Sequence, residues 1–179
     1  MKKLIYSHGE TSGIGPDLII TLCKTNYWTK LRHPLIIVGD PKLFIDRADL
    51  LKKNVKIITM QSIDEAKPNK KNTLQILLNG KCSNTNPGKL YKSNARYILD
   101  VLNTSINLCI NNKDYALVTG PLSKENIIKI DPQFTGHTEH IQKLTKSKNV
   151  LMLLGSEKLK LAFITTHIPL QKVSNAINE

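Results

Sequence analysis

The sequence predicts an α/β fold: a layered, mostly parallel sheet with helices packed against it. Short apolar runs such as Leu35-Ile36-Ile37-Val38 alternate with stretches whose apolar residues recur at helical spacing. Glycine, proline and aspartate punctuate the passages between them, as in Gly39-Asp40-Pro41. That order of strand, turn and helix is the signature of strands joined by crossover helices.

Taken in order, Lys3 to Ser7 reads as a strand and Gly13-Ile14-Gly15-Pro16 as a tight turn into a helix. Pro16 suits the first helical position, and Leu18, Ile19, Leu22 and Cys23 supply the stripe. Leu35 to Val38 is the second strand, and Gly39-Asp40-Pro41 caps a helix carrying Leu43, Phe44, Ala48 and Leu51. Val55 to Thr59 and Leu74 to Leu78 are further short strands, and Asn79 to Gly88 is a turn-rich surface loop. Leu90, Ile98, Leu102, Ile106 and Cys109 predict one long amphipathic helix over Lys89 to Asn111. Tyr115 to Val118 reads as a buried strand that delivers Thr119-Gly120-Pro121 to its carboxyl end, where open α/β sheets bind ligands. Asn149 to Leu154 and Leu159 to Thr165 read as two more strands. Pro169 opens a helix through Val173 and Ala176-Ile177, and the chain reads as interrupted soon after it.

With 179 residues and 40% hydrophobic content, the chain can bury a core as one domain. It has no signal-peptide pattern and no run near the roughly 20 apolar residues of a membrane span, so a cytoplasmic location without a membrane partner is expected. Cys23, Cys82 and Cys109 lack paired spacing and read as reduced residues. The formal charge of +12 raises the question of nucleic acid, but the excess is almost all lysine and comes with many asparagines and isoleucines. These three share adenine- and thymine-rich codons. The densest basic segment, Lys67-Pro68-Asn69-Lys70-Lys71-Asn72, therefore reads as a solvated loop, and no nucleic-acid partner is expected.

Four segments carry chemistry. Gly9 to Pro16 has glycines at three positions but neither GxGxxG spacing nor a GK[ST] ending, so the glycines read as backbone necessities at a strand-to-helix turn. Thr119-Gly120-Pro121-Leu122-Ser123-Lys124 places two hydroxyls and an ammonium on one loop. Lys124 could neutralise an anion or help move an alcohol proton, or be solvated beside a capped helix. In Phe134-Thr135-Gly136-His137-Thr138-Glu139-His140, Thr138 could cap a helix, and His137 and Thr138 could hydrogen-bond an anionic substrate. His140 reads as an ordinary helix residue. In Thr165-Thr166-His167-Ile168-Pro169-Leu170, His167 ends a strand and could ligate a metal or polarise a substrate oxygen, although one ligand makes no site.

In that order, GETSGIGPDL, TGPLSK, FTGHTEH and TTHIPL resemble the N-terminal half of the 4-hydroxythreonine-4-phosphate dehydrogenases, the PdxA family of vitamin B6 biosynthesis. The resemblance runs from near residue 5 to the end, so residues 1–179 read as the N-terminal portion of such an enzyme, with the rest of the family's length absent. It implies a fold like that of the isocitrate and isopropylmalate dehydrogenases, incomplete at the C-terminus. It also implies NAD(P)-dependent oxidation of 4-phosphooxy-threonine, with decarboxylation to 3-amino-2-oxopropyl phosphate. Implied with it are NAD or NADP, a divalent metal (Zn, Mg or Co), a small phosphorylated hydroxy-amino acid as substrate and a homodimer in the complete enzyme. Carried over by position, His137 and Thr138 are substrate-binding and His167 is the first of three metal-binding histidines. The catalytic group is not identified beyond Lys124 as a candidate, nor are the cofactor-binding residues.

Two departures matter. The family's TGP loop usually has a histidine before the lysine, where this chain has Ser123. The other two metal histidines would lie beyond residue 179, so the chain alone is expected to be inactive until a C-terminal half completes it. The alternative is a non-catalytic remnant that still binds a phosphorylated ligand.

Overall fold

Five strands, β1 (Lys3–Ser7), β2 (Leu35–Gly39), β3 (Lys56–Met60), β4 (Thr73–Leu78) and β5 (Tyr115–Thr119), form a parallel sheet in the order β3-β4-β2-β1-β5. The computed structural model describes residues 2–165 and 168–177. Ile5 stands opposite Ile36 on one side and Leu117 on the other, which puts β1 between β2 and β5. All five residues of β2 are buried, as expected for a central parallel strand covered on both faces.

Side chains two apart share a face of the sheet, and the helices follow that alternation. Tyr6, Leu35, Ile37, Leu74 and Ile76 form one core with Ile19, Ile20 and Cys23 of the first helical segment, Trp28, and Leu43, Phe44 and Ala48. Those partners come from α1 (Gly15–Leu22) and the residue after it, from α2 (Asn26–Lys30) and from α3 (Pro41–Leu50). Asp40 starts α3 as predicted, its carboxylate accepting the Lys42 amide at 2.9 Å ahead of Pro41. The other face is covered by α4 (Ala95–Asn111), which packs on β1, β2 and β5 and buries Ile98, Val101, Leu102 and Ile106.

Three expectations are corrected. Helix α4 starts at Ala95 after a single 3₁₀ turn over Lys92–Asn94, and Leu90 is exposed. The side chain of Asn94 is held by the preceding loop, as described below, so the chain upstream cannot continue the helical stripe. Strand β5 is not buried: among the described residues it pairs only with β1, and Ala116, Val118 and Thr119 are exposed. The helix expected from Pro169 is a 3₁₀ turn over Leu170–Lys172 followed by α7 (Val173–Ala176).

The chain divides after Gly136 into two compact units. The second contains α6 (His137–Thr145) and an antiparallel pair, β6 (Met152–Gly155) and β7 (Lys160–Phe163), with Leu154 opposite Leu161. Every residue of β6 and β7 is exposed. The three cysteines are free. Among the described residues, no helix is long and apolar enough to cross a membrane.

Burial sets the cost of truncation at each strand. Ile37 is fully buried in β2, so Ile37→Ala should lower stability by about 2–5 kcal/mol. Ile58, on the edge strand β3 and over a third exposed, should cost less than about 1 kcal/mol when changed to Ala. Urea unfolding monitored by circular dichroism separates the two, and equal losses would contradict this layering.

Candidate functional site

The loops at the carboxyl ends of β1 and β5 meet backbone to backbone. The Gly120 amide donates to the Ser7 carbonyl at 2.7 Å, and the Glu10 amide donates to the Pro121 carbonyl at 2.9 Å. Gly9 lies at φ +77°, and a β-carbon there would collide with the Pro121 carbonyl oxygen. One on Gly15 would collide with the carbonyl of His8, while the Tyr6 hydroxyl donates to the Gly15 carbonyl at 3.0 Å. Two of the four motifs, GETSGIGP and TGPLSK, are thus one packed feature whose glycines permit the contact.

Side chains reinforce it. Glu10, 4% exposed, accepts the Thr11 hydroxyl at 3.2 Å and the Ser12 amide at 3.4 Å on one oxygen. Its other oxygen accepts from Asn126 Nδ2 at 3.2 Å, and the same nitrogen donates to the Tyr91 carbonyl. Asn126 lies in α5 (Lys124–Ile128), whose start is capped by Ser123: its hydroxyl accepts the Asn126 amide at 3.3 Å. Asn94 donates to Thr11 Oγ1 at 3.1 Å and to the Asn84 carbonyl, and accepts the Ser83 amide and hydroxyl. Arg47, 3% exposed, donates to the carbonyls of Thr11 and Gly13 and meets Asp17 of α1 at 2.6 Å.

His8 sits behind this cluster, wholly buried. Its Nε2 lies 3.2 Å from the Tyr97 hydroxyl, which also accepts the Asp40 amide at 2.7 Å, and Phe44 presents an edge to its ring. Burial pushes the imidazole down to about 4, against the opposing pull of the Gly9 backbone and Asp40, so it is neutral at ordinary pH. Burial likewise raises Tyr6 to about 12 and moves Tyr97 further in the same direction.

Sequence reasoning missed His8, Arg47, Asn94, Tyr97 and Asn126. Only Arg47 had a visible signal, being a charged residue inside the apolar stripe of α3, between Phe44 and Ala48. The asparagines lie at element boundaries, where pattern says little.

The predicted site residues fall in different places. Lys124 is exposed as the first residue of α5, in the first unit. His137 and Thr138 are adjacent at the start of α6 in the second unit, with His137 half-buried and Thr138 exposed. The helix begins at His137, two residues earlier than a Thr138 cap predicts, so Thr138 lies inside its first turn instead of capping it. The amides of such a turn have no partner within the helix and face outward along its axis, which suits an anion. His140 lies on the same helix. His167 falls outside the described residues.

Among the described residues, no group of three or more His, Cys, Asp or Glu side chains could hold a metal ion. The first turn of α1 carries Asp17, and the loop before it is filled by the Arg47 guanidinium, so this turn is no open cradle for a pyrophosphate.

Residues 30–179 match the family model described as pyridoxal phosphate biosynthetic protein PdxA. A 4-hydroxythreonine-4-phosphate dehydrogenase from Citrobacter koseri is 33% identical over 99% of this chain and 53% of its own length. One from Vibrio vulnificus is 34% identical over the same shares. The crystal structure of the Klebsiella pneumoniae 4-hydroxythreonine-4-phosphate dehydrogenase superposes with a TM-score of 0.86 at 23% identity, covering 99% of this chain and 55% of that one. That from Burkholderia phymatum gives 0.84 at 20% identity, over 94% and 51%. The chain therefore belongs to the PdxA family, and it spans about half the length of the curated relatives it matches.

Two measurements test the packed cluster. Gly9→Ala should cost at least about 2 kcal/mol, because it combines a positive φ with a backbone collision; a urea midpoint equal to wild type would refute the close approach. His8 has a depressed folded pKa, so its contribution is complete above the unfolded value near 6.5 and is lost as pH falls toward about 4. Stability should drop by roughly 3 kcal/mol across that window. In His8→Gln this part of the slope should vanish, and an unchanged slope would assign the loss to other groups.

Proposed function

We propose that this chain supplies the first half of a dehydrogenase that oxidises 4-phosphooxy-threonine (4-hydroxythreonine 4-phosphate), working once a C-terminal half completes it. The observation that carries the reading is the family match over residues 30–179, which includes the Gly136-His137-Thr138-Glu139 motif at the start of α6. In this reaction the secondary alcohol loses a hydride to NAD or NADP and a proton to a base. The resulting β-keto acid releases carbon dioxide and leaves 3-amino-2-oxopropyl phosphate.

In this reading His137 and Thr138 bind the anionic substrate. An imidazole and a hydroxyl at a helix start can give an anion charge-assisted hydrogen bonds worth about 1.5–3 kcal/mol each. Lys124 is the candidate ammonium for neutralising charge or moving the alcohol's proton. A divalent metal (Zn, Mg or Co) belongs to the same reading, with His167 as one ligand; about three protein ligands are usual, so the others would come from the completing half. The complete enzyme is read as a cytoplasmic homodimer.

The test is to add the C-terminal half of the Citrobacter koseri relative, fused or as a separate chain, and to follow reduction of NAD and NADP with the phosphorylated substrate. Turnover that needs both halves and a divalent metal is expected. Inactivity of the combination beside an active full-length relative would sink the reading. In the completed enzyme, His137→Ala should lower kcat/KM by about 10- to 100-fold, mostly through KM. An unchanged KM would remove His137 from substrate binding.

A further inference from the structure

We propose that the outer edge of the sheet, where the segment Lys67–Asn72 lies beside β3 and β4, is a binding site for a small, multiply charged phosphate compound. A cleft of about 730 Å³ opens there, within the range of small-molecule sites. Lys24, Lys56, Lys67, Lys70 and Lys71 line it, and no carboxylate does. Lys56 and Ile58 of β3 and Thr73 and Gln75 of β4 share the sheet face that floors it, since Lys56 pairs with Thr73 and Ile58 with Gln75.

This segment is the exposed loop the sequence predicts, and hydrogen bonds tie its backbone to the fold. The Lys67 amide and carbonyl both bond the Gln75 side chain at 2.7 Å, and Gln75 is buried. Asn69 donates to the His33 carbonyl and accepts the Leu35 amide. The indole of Trp28, 1% exposed, donates to the Lys70 carbonyl at 3.1 Å, and the Asn72 amide donates to the Cys23 carbonyl at 2.9 Å. Asn72 itself takes φ +58°, a conformation that asparagine tolerates better than most residues.

The lysines are therefore gathered by a backbone that cannot spread them. Lys24 and Lys71 donate to neutral oxygens, of Asn54 and Asn26, and among the described residues none of the five forms an ion pair. Like charges around one concave surface raise its potential, and an anion of several charges relieves that repulsion without any reorganisation of the loop. A codon bias can raise the number of lysines, but it does not place five around one cleft.

The lining favours a compact ligand over a nucleic acid strand. It contains no aromatic residue on which bases could stack and no arginine, and lysine meets phosphate as a point charge.

Inorganic tripolyphosphate is the probe, titrated into the full chain at about 0.15 M ionic strength, where weak surface attraction is screened. Calorimetry gives the stoichiometry, and Trp28, the sole tryptophan, reports on the loop it holds. One saturable site per chain is expected. The double variant Lys67→Gln, Lys70→Gln should weaken it at least tenfold, because it removes two ammonium groups and leaves the backbone bonds of the loop in place. Lys158→Gln with Lys160→Gln, two exposed positions on or beside β7, should leave it unchanged, with far-ultraviolet circular dichroism confirming both folds. The proposal is overturned by the absence of saturable binding, by equal weakening in the two double variants, or by single inorganic phosphate binding as tightly as tripolyphosphate. It is equally overturned if single-stranded RNA binds while tripolyphosphate does not.

Discussion

Glu10 joins parts of the chain that are far apart in sequence. Its amide bonds the carbonyl of Pro121 after β5, and its carboxylate accepts hydrogen bonds from Thr11, Ser12 and Asn126. A carboxylate 4% exposed and, among the described residues, without an ion pair would be costly if any of these donors were missing, so its presence requires all of them in place. Gly9 and Gly120 make the approach sterically possible, while Arg47 clamps the carbonyls of Thr11 and Gly13 from the other side. The position of β5 against β1, the cap of α5 and the late start of α4 all follow from how these loops are tied. Networks of this kind reward complete satisfaction and penalise partial satisfaction, which makes the cluster a single cooperative element.

Much of the layered architecture was legible because it follows from apolar periodicity. The buried run of β2, the Asp40-Pro41 start of α3 and the stripe of Ile98, Leu102 and Ile106 on α4 are local patterns, and each took its predicted place. Tertiary hydrogen bonds decided the remainder. Asn94 ends the helical pattern upstream of α4 because Ser83, Asn84 and Thr11 engage its side chain, and no window of sequence contains those partners. The segment Lys67–Asn72 has the composition of a solvated loop, and only the positions of Gln75, Trp28 and His33 turn it into a fixed one. Of the candidate site, the adjacency of His137 and Thr138 at a helix start was readable, whereas the buried polar cluster behind the first loop was not. Strand β5 looked buried because its residues are apolar, but apolar character says nothing about which neighbours a strand finds.

The strand order adds a constraint on any cofactor. From β1 the chain passes to β2, then to the edge strand β3, returns to place β4 between those two, and finally crosses back to set β5 on the other side of β1. Open α/β sheets usually bind ligands at such a reversal, beyond the carboxyl ends of the two strands. Here that crevice is occupied by the chain itself, since the loops after β1 and β5 bond each other backbone to backbone across Gly9 and Gly120. The nearby helix start is equally unsuited to a pyrophosphate. Asp17 in the first turn of α1 satisfies the helix dipole and repels a second anion, and the guanidinium that could have offset it is bound to Asp17 and two carbonyls. A dinucleotide serving this fold must therefore bind away from the first strand-to-helix turn. Family membership, which rests on sequence similarity along the chain, carries no such information; it comes from the atoms that fill the crevice.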